Sequence, residues 1–307
     1  MLKTEEVTVQ DSLPPTPRLH DGATSGRRPR SGTISDSVVR AVGHTLLWIG
    51  VPLMVLPFVW MVLSAFKPAY EILQIVPTFF PVHPTFSNFV TVWTQYSFGL
   101  YIFNSLLVTC ATCVLIVISS SLLGFIFAKI AFPGRDMLFL AFLATMVLPI
   151  EVIALPLLLE MQKIGAVNQL WGLSLPFVID AFAIYLFRQF IFTIPNDYLD
   201  AARVEGLSDF GIYRRIILPL CRPVIAAIAI LSFLFMWDQV FWPLVLINSN
   251  SHNTVPLGII LLSTQFAPIY NLTMAASTIT VIPVLIVFLI FRRHFFGGFM
   301  MSGLAGH

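Results

Sequence analysis

Charged residues are scarce in this sequence of 307 residues. They make up 10% of the chain, whereas a soluble domain typically carries about 25%. Hydrophobic residues reach 57%, and the mean hydropathy is +0.88. A soluble chain of this length could not bury so much apolar surface, so the solvent of this protein must be lipid. The net charge of +2 and the absence of a long basic run exclude a nucleic-acid-binding protein.

Cysteine and the common catalytic motifs are equally scarce. Cys110, Cys113 and Cys221 all lie in or beside apolar stretches, which excludes a disulfide framework. Cys110 and Cys113 have the spacing of half a zinc site, but no histidine is near, and we interpret them as small residues on a helix face. The sequence has no His-Glu-x-x-His motif and no phosphate-binding Gly-x-x-x-x-Gly-Lys-Ser/Thr loop. We therefore expect neither a metal site nor ATP hydrolysis in this chain.

Long apolar runs, in contrast, are abundant. About 20 apolar residues cross the hydrocarbon core of a bilayer, and six runs reach that length. They predict an all-α membrane protein with six transmembrane helices. The predicted spans are residues 41–66, 101–128, 137–159, 170–192, 224–247 and 272–291. Residues 1–40 are polar and rich in Pro, Ser and Gly, which predicts a disordered tail.

The lysines and arginines predict the orientation. If the N-terminus is cytoplasmic, 15 of the 17 basic residues fall in cytoplasmic parts, and only Lys67 and Lys163 fall outside. Cytoplasmic loops carry an excess of Lys and Arg. We therefore predict a multi-pass protein of the cell membrane with both termini in the cytoplasm.

Residues 193–223, which we call the charged segment, form a polar excursion between two predicted spans. Pro195 and Asp197 predict the start of a helix, and Gly206 predicts a sharp turn. Ser208 or Asp209 can cap a second helix, which Pro219 is expected to end. The charged residues of the segment are Asp197, Asp200, Arg203, Glu205, Asp209, Arg214, Arg215 and Arg222. A short helix–turn–helix of this kind on the cytoplasmic face suits docking to another protein.

The charged segment also resembles a known family. Asp200-Ala201-Ala202, then Glu205-Gly206-Leu207, then Ile216-Ile217-Leu218-Pro219 resemble the coupling loop of binding-protein-dependent ABC permeases. The family has Glu, Asp and Ala where this chain has Asp200, Glu205 and Leu207. Motifs of the maltose-type carbohydrate branch occur in the same order from about residue 96 onwards. They are Asn104-Ser105-Leu106, Phe132-Pro133-Gly134-Arg135, Met146-Val147-Leu148-Pro149, Leu186-Phe187-Arg188-Gln189-Phe190 and Trp237-Asp238-Gln239-Val240-Phe241-Trp242-Pro243.

The resemblance implies a permease subunit of a type I importer. Its implied partners are a second permease, two cytoplasmic ATPase subunits that bind ATP and Mg²⁺, an extracytoplasmic solute-binding protein and the lipid bilayer. It implies a first helix and outer loop over residues 41–98, a transport domain over 99–292 and a C-terminal tail over 293–307. The implied ATPase-coupling residues are Asp200, Ala201, Ala202, Glu205, Gly206, Leu218 and Pro219.

Polar residues within the apolar spans are candidates for the solute path. Glu151 follows a proline, and Asp238 lies between Trp237 and Gln239. A charge inside the bilayer is costly and usually faces protein or water, and an aromatic ring beside hydrogen-bonding groups suits sugar recognition. Asp180 is a further candidate. The alternative for each is a polar contact between helices that fixes their packing.

Two other functions are compatible with a polytopic membrane chain. A single-chain secondary transporter would usually have more spans and inverted repeats, which we do not find. An intramembrane enzyme would need a nucleophile–base pair or a metal cluster within the bilayer, and none stands out. Association with an ATPase would separate the importer from both.

Overall fold

A computed structural model describes residues 33–264 and 269–303. Its helices are α1 (Thr33–Ala65), α2 (Ala69–Ile72), α3 (Ser87–Gln95), α4 (Phe98–Lys129), α5 (Arg135–Thr145), α6 (Ile150–Lys163), α7 (Leu170–Ser174), α8 (Ala181–Phe192), α9 (Asp197–Val204), α10 (Asp209–Ile212), α11 (Leu218–Leu220), α12 (Arg222–Trp237), α13 (Phe241–Leu246), α14 (Val255–Thr264) and α15 (Tyr270–Gly303). Short 3₁₀ turns follow α7 and α13, and a π-helical turn, Tyr213–Ile217, follows α10. This described part of the chain contains no β-strand.

Up to six membrane spans can be built from these helices. Three single helices are long and apolar enough to cross a bilayer: Val38–Ala65, Phe98–Lys129 and Tyr270–Ile290. Three bent pairs meet the same requirement, Arg135–Thr145 with Ile150–Lys163, Leu170–Phe177 with Ala181–Phe192, and Asp209–Leu220 with Arg222–Trp237. The prediction of an all-α protein with six apolar spans is confirmed, but half of those spans are broken.

The chain divides into two compact units, residues 1–54 and 55–307. In the first unit the described residues form the first part of α1. This helix begins at Thr33, so residues 33–40 are helical and the predicted disordered tail is too long at this end. Adding residues to an existing helix is far easier than nucleating a new one, which explains the extension. The rest of the predicted tail, residues 1–32, lies outside the described residues.

Breaks within the second unit correct two of the predicted spans. The third predicted span, 137–159, is divided by a bend of 101° between α5 and α6. Pro149 precedes α6 in an extended conformation and its ring cannot continue the helix before it. The fifth predicted span, 224–247, ends at Trp237, and the three residues after it separate α12 from α13.

The last helix is longer than predicted. The sixth span was expected to stop at Arg292 and Arg293, but α15 continues to Gly303. Arginine is a good helix former, so these two residues end the apolar stretch without ending the helix. The C-terminal tail predicted from residue 293 is therefore helical as far as Gly303.

Helix α4 is the centre of the second unit. It packs along α8 and α12, and at its closest approach Gly124 meets Phe187 of α8. A Cβ atom on Gly124 would lie 2.5 Å from the Cβ atom of Phe187, so only glycine permits this crossing. Ile116 and Phe125 of α4 join Phe187 in a buried cluster that also contains residues of the charged segment. The fold thus connects the charged segment directly to the central helix.

The charged segment and the predicted solute path

The first helix of the charged segment has two different faces. Leu199 and Ala202 of α9 are buried in the cluster around α4, whereas Asp200, Ala201 and Glu205 are exposed. Asp197 and Asp200 lie in the first turn, where negative charge is favoured by the helix dipole. The predicted start of this helix is confirmed.

Gly206 forms the predicted turn after α9. Its φ of +85° lies in the left-handed region, which residues with a Cβ atom rarely adopt. The Gly206 amide donates to the carbonyl of Arg203, and the Leu207 amide donates to the carbonyl of Ala202, each at 3.0 Å. A Cβ atom at Gly206 would meet nothing within 4 Å, so the backbone conformation alone requires glycine.

Arg203 connects the two sides of this turn. Its guanidinium lies 3.3 Å from a carboxylate oxygen of Asp200 and 3.3 Å from one of Asp209. All three side chains are largely exposed, so these ion pairs are screened by solvent and contribute little stability. Their effect is to present an ordered arrangement of charge around Gly206.

The second helix of the segment is capped as predicted and ends one residue beyond Pro219. The hydroxyl of Ser208 accepts a hydrogen bond from the Gly211 amide at 3.3 Å. The sequence predicts that Leu218 and Pro219 end this helix, and the helical backbone ends one residue later, at Leu220. The residues of α11 follow the π-helical turn without a break, so Pro219 lies in the last turn of one helical stretch, Asp209–Leu220. The 77° bend into α12 falls after Leu220.

Two contacts that the sequence did not reveal fix the segment to α4. The hydroxyl of Tyr213 lies 2.8 Å from that of Ser121 in a buried position. The Lys129 ammonium donates to the carbonyl of Ile194 at 2.6 Å and to the side chain of Asn196 at 2.8 Å. The partners lie far apart in sequence, so no local spacing could have indicated these pairs.

The predicted coupling residues therefore fall into two groups, those on the exposed surface of the segment and those that support it. Asp200, Ala201, Glu205 and Gly206 lie on the exposed surface of the segment, beside an open groove that also contains Tyr198. The other three lie beneath or beside this surface: Ala202 is buried, Leu218 is half-buried and Pro219 lies in the last helical turn before the bend into α12. Leu207, where the family has alanine, packs against the same buried cluster as Ala202.

The predicted solute-path residues around Asp238 lie at the break after α12. Trp237 is buried and stacks on Phe233 with ring centroids 5.8 Å apart. Its indole N–H finds no acceptor within the described residues. Asp238 is exposed, and Gln239 is half-buried beside a narrow cavity whose lining includes Thr254.

Glu151 is placed separately from this group. It lies exposed in the first turn of α6, after the 101° bend. Within residues 33–264 and 269–303, no hydrogen bond or ion pair joins Glu151 to Trp237, Asp238 or Gln239. Asp180 caps α8, because its carboxylate accepts a hydrogen bond from the Ala183 amide at 2.6 Å.

Taken together, broken apolar spans around one central helix and a polar helix pair anchored to it define a membrane transport subunit. The comparison with protein families identifies which kind of transport subunit it is. The chain belongs to the binding-protein-dependent transport system inner membrane component family, whose description matches residues 120–297. It is thus a transport permease, in agreement with the resemblance of its motifs.

Individual relatives cover most of the chain. It is 35% identical to the arabinooligosaccharides transport system permease protein AraQ of Halalkalibacterium halodurans, over 82% of this chain and 91% of that protein. It is 31% identical to the diacetylchitobiose uptake system permease protein NgcG of Streptomyces coelicolor, over 87% of this chain and 90% of that protein. The fold matches a chain of a bacterial ABC transporter involved in alginate import with a TM-score of 0.73, at 23% identity, over 85% of this chain and 98% of that one.

Proposed function

We propose that this chain forms, with a second permease, the membrane path of an ATP-driven importer for a carbohydrate or related polar solute. An extracytoplasmic binding protein delivers the solute, and two cytoplasmic ATPase subunits bind ATP and Mg²⁺. The observation that carries the proposal is the charged segment, with its apolar side buried against α4 and its acidic side exposed around Gly206. The oligosaccharides named for two of its relatives support the solute class.

In this proposal the charged segment transmits ATPase closure to the spans. Residues 200–219 dock on an ATPase subunit through the exposed side of α9. The bonds of Tyr213 to Ser121 and of Lys129 to Ile194 then carry the displacement to α4. Packed helices pass on a displacement that a flexible linker would absorb. Such coupling between two sites typically corresponds to about 1–3 kcal/mol.

The proposed orientation places both termini and the charged segment in the cytoplasm. It rests on the distribution of lysine and arginine, of which 15 of 17 fall on that side. The same orientation places the break at Asp238 towards the outer side of the membrane.

The importer is tested by isolating the tagged chain from its native membrane. We expect it to purify with a second permease and a stoichiometric ATPase. Proteoliposomes containing this complex and its binding protein should take up arabino-oligosaccharides or diacetylchitobiose when ATP is enclosed, and should not take up an amino acid. Uptake without any ATPase, driven by an ion gradient, would identify a secondary transporter instead.

The proposed path through Glu151 and Asp238 is tested in the same proteoliposomes. We expect Asp238→Ala and Glu151→Ala to lower the rate of uptake while the ATPase remains bound. If both variants transport normally and keep the solute preference, these residues serve helix packing.

A further inference from the structure

The fourth apolar span is broken near its middle. The pair Leu170–Phe177 and Ala181–Phe192 bends by 49°, and Val178–Asp180 lie between the two helices. Serine hydroxyls of α4 bond to carbonyls at this break. Ser119 donates to the Val178 carbonyl, and Ser120 donates at 3.5 Å to the Asp180 carbonyl, which also accepts from the Ile184 amide. Backbone of this kind is tolerated inside a membrane where it is buried in protein or lines a cavity.

A cavity does lie beside this break, between α4, α8 and α12. Its volume is about 160 Å³, and part of it is open to the surroundings. Its lining includes Asp180, Phe182, Ser232 and Phe235. Ser232 lies about 15 Å along α12 from Arg222, at a rise of roughly 1.5 Å per residue, which is half the thickness of the hydrocarbon core.

Two polar groups in the cavity have unused hydrogen-bonding capacity. Ser232 is 9% exposed, and its hydroxyl has no hydrogen-bond partner in the part of the chain that the structure describes. Membrane-embedded hydroxyls normally bond to their own helix, as Thr112 does to the Val108 carbonyl. Asp180 uses one carboxyl oxygen for the Ala183 amide and leaves the other without a partner among the described residues.

We infer that this cavity is a solute subsite for a neutral, polyhydroxylated ligand, with Asp180 and Ser232 as its hydrogen-bonding groups. The carboxyl group accepts hydrogen bonds from sugar hydroxyls and, when ionised, repels an anionic solute. The serine hydroxyl both donates and accepts. Phe182 and Phe235 supply apolar surface for the C–H faces of a sugar ring. This inference rests on the proposed function.

The open side of the cavity indicates which face of the chain borders the solute path. Phe182 and Phe235 are 44% and 50% exposed there. A carboxyl group at mid-depth is costly to expose to lipid, so this face meets protein or water. The second permease is the protein that the proposed importer places there, with the solute passing between the two subunits.

Accessibility of position 232 gives a test that needs no knowledge of the solute. Ser232→Cys is placed in a background with Cys110→Ala, Cys113→Ala and Cys221→Ala, and the assembled complex is treated with a charged, water-soluble methanethiosulfonate during ATP turnover. We expect rapid modification. Leu234→Cys, also on α12 but outside the cavity, is the matched control. Modification of position 232 no faster than of position 234 would overturn the inference.

Uptake measurements test the chemistry of the subsite. Asp180→Asn keeps an acceptor for the Ala183 amide, so the cap on α8 survives. We expect uptake of the transported oligosaccharide to fall roughly tenfold in Asp180→Asn and roughly threefold in Ser232→Ala, because a hydrogen bond to a charged group is the stronger. Ser263→Ala removes a hydroxyl bonded within its own helix and should leave uptake unchanged.

Normal uptake in both cavity variants would overturn the inference while leaving the importer intact. Absence of ATP-driven uptake by the unmodified complex would refute the proposed function instead. The modification rate at position 232 would still decide whether the cavity is open to water.

Discussion

Two connections between membrane helices differ in how exposed their charged side chains are. They are the first connection, residues 67–97, and the charged segment, residues 193–223. In the first connection Lys67 and Glu71 are buried, with exposed fractions of 2% and 1%. In the charged segment the side chains of Asp200 and Arg203 are 67% and 47% exposed. The buried charges of the first connection hold a loop together, whereas the exposed charges of the charged segment are available to a partner protein.

The buried charges of the first connection are held by contacts within it and with α1. The Glu71 carboxylate accepts from the amides of Val82 at 2.7 Å and His83 at 3.2 Å, and from the Thr78 hydroxyl. Lys67 donates to the Thr78 carbonyl and lies over the ring of Trp60. These bonds set the path of a loop that has little regular structure. The charged segment instead takes its shape from its buried apolar side and from Gly206.

The largest expected effect on stability is that of Asn88→Ala in the first connection. The buried Asn88 amide donates to the carbonyls of Ala65 and Lys67, both at 2.8 Å, and its oxygen accepts from Asn271 at 2.7 Å. Each buried group left without a partner costs about 1–3 kcal/mol. Thermal unfolding of the purified complex measures the loss. Thr94→Ala on the same helix, where an exposed hydroxyl bonds only to Val90, is the control, and an equal loss in both would contradict the prediction.

The next largest effect is expected for Gly206→Val, and it concerns coupling. Valine in the left-handed region costs about 1–3 kcal/mol and should shift both helices of the charged segment. We expect the ATPase to remain bound while solute-stimulated hydrolysis and uptake are lost. Gly134→Val is the matched control, since Gly134 also has a positive φ, +80°, and open space around it. Normal uptake in Gly206→Val with the ATPase bound would refute the coupling assignment.

Glu71 makes stability depend on pH. Burial by itself raises its pKa, but the amides of Val82 and His83, the Thr78 hydroxyl and the Lys67 charge together lower it below the ordinary value of 4.5. A lowered pKa stabilises the folded state above the unfolded pKa, and this contribution disappears as the pH falls through the folded value. Melting temperatures measured from neutral pH downwards should therefore decline below about pH 4.5 and decline less in Glu71→Gln. Parallel curves would show that another group is responsible.

The smallest effect is expected for Arg203→Ala in the charged segment. It removes both exposed ion pairs, which are together expected to contribute less than about 1 kcal/mol and to weaken with salt. The melting temperature should change as little as in Lys163→Ala, which removes another exposed pair. A loss as large as that of Asn88→Ala would mean that exposed charge supports the charged segment after all.

Local chemistry made much of the charged segment predictable. Gly206 and Ser208 are residues whose backbone preferences act over two or three positions, and the structure shows the expected turn and cap. The end of the second helix was predictable to within one residue, since the helical stretch stops at Leu220, directly after Pro219. The π-helical turn Tyr213–Ile217 within this helix was not predictable, since no local pattern in the sequence indicates it.

The membrane spans were predictable in number but not in shape. Pro149 pointed to a weakened helix, yet the 101° bend depends on how α5 and α6 pack. Pro176 lies two residues before the break at Val178–Asp180, but the serines that bond to the carbonyls of the break lie on α4. Partners separated by 59 and 60 residues leave no local signal.

The sequence by itself determined that this chain is a six-span helical membrane protein with a polar helix–turn–helix, and its motifs pointed to the permease family. These properties follow from apolar length, from the residues that start and turn helices, and from motif order, all of which act locally. Only the tertiary structure decided where the spans break and that Tyr213 and Lys129 hold the charged segment to α4. It also placed Asp180 and Ser232 in one cavity. These features depend on which distant side chains form hydrogen bonds with a carbonyl or hydroxyl that has no partner in its own helix. The packing of the helices determines those partners.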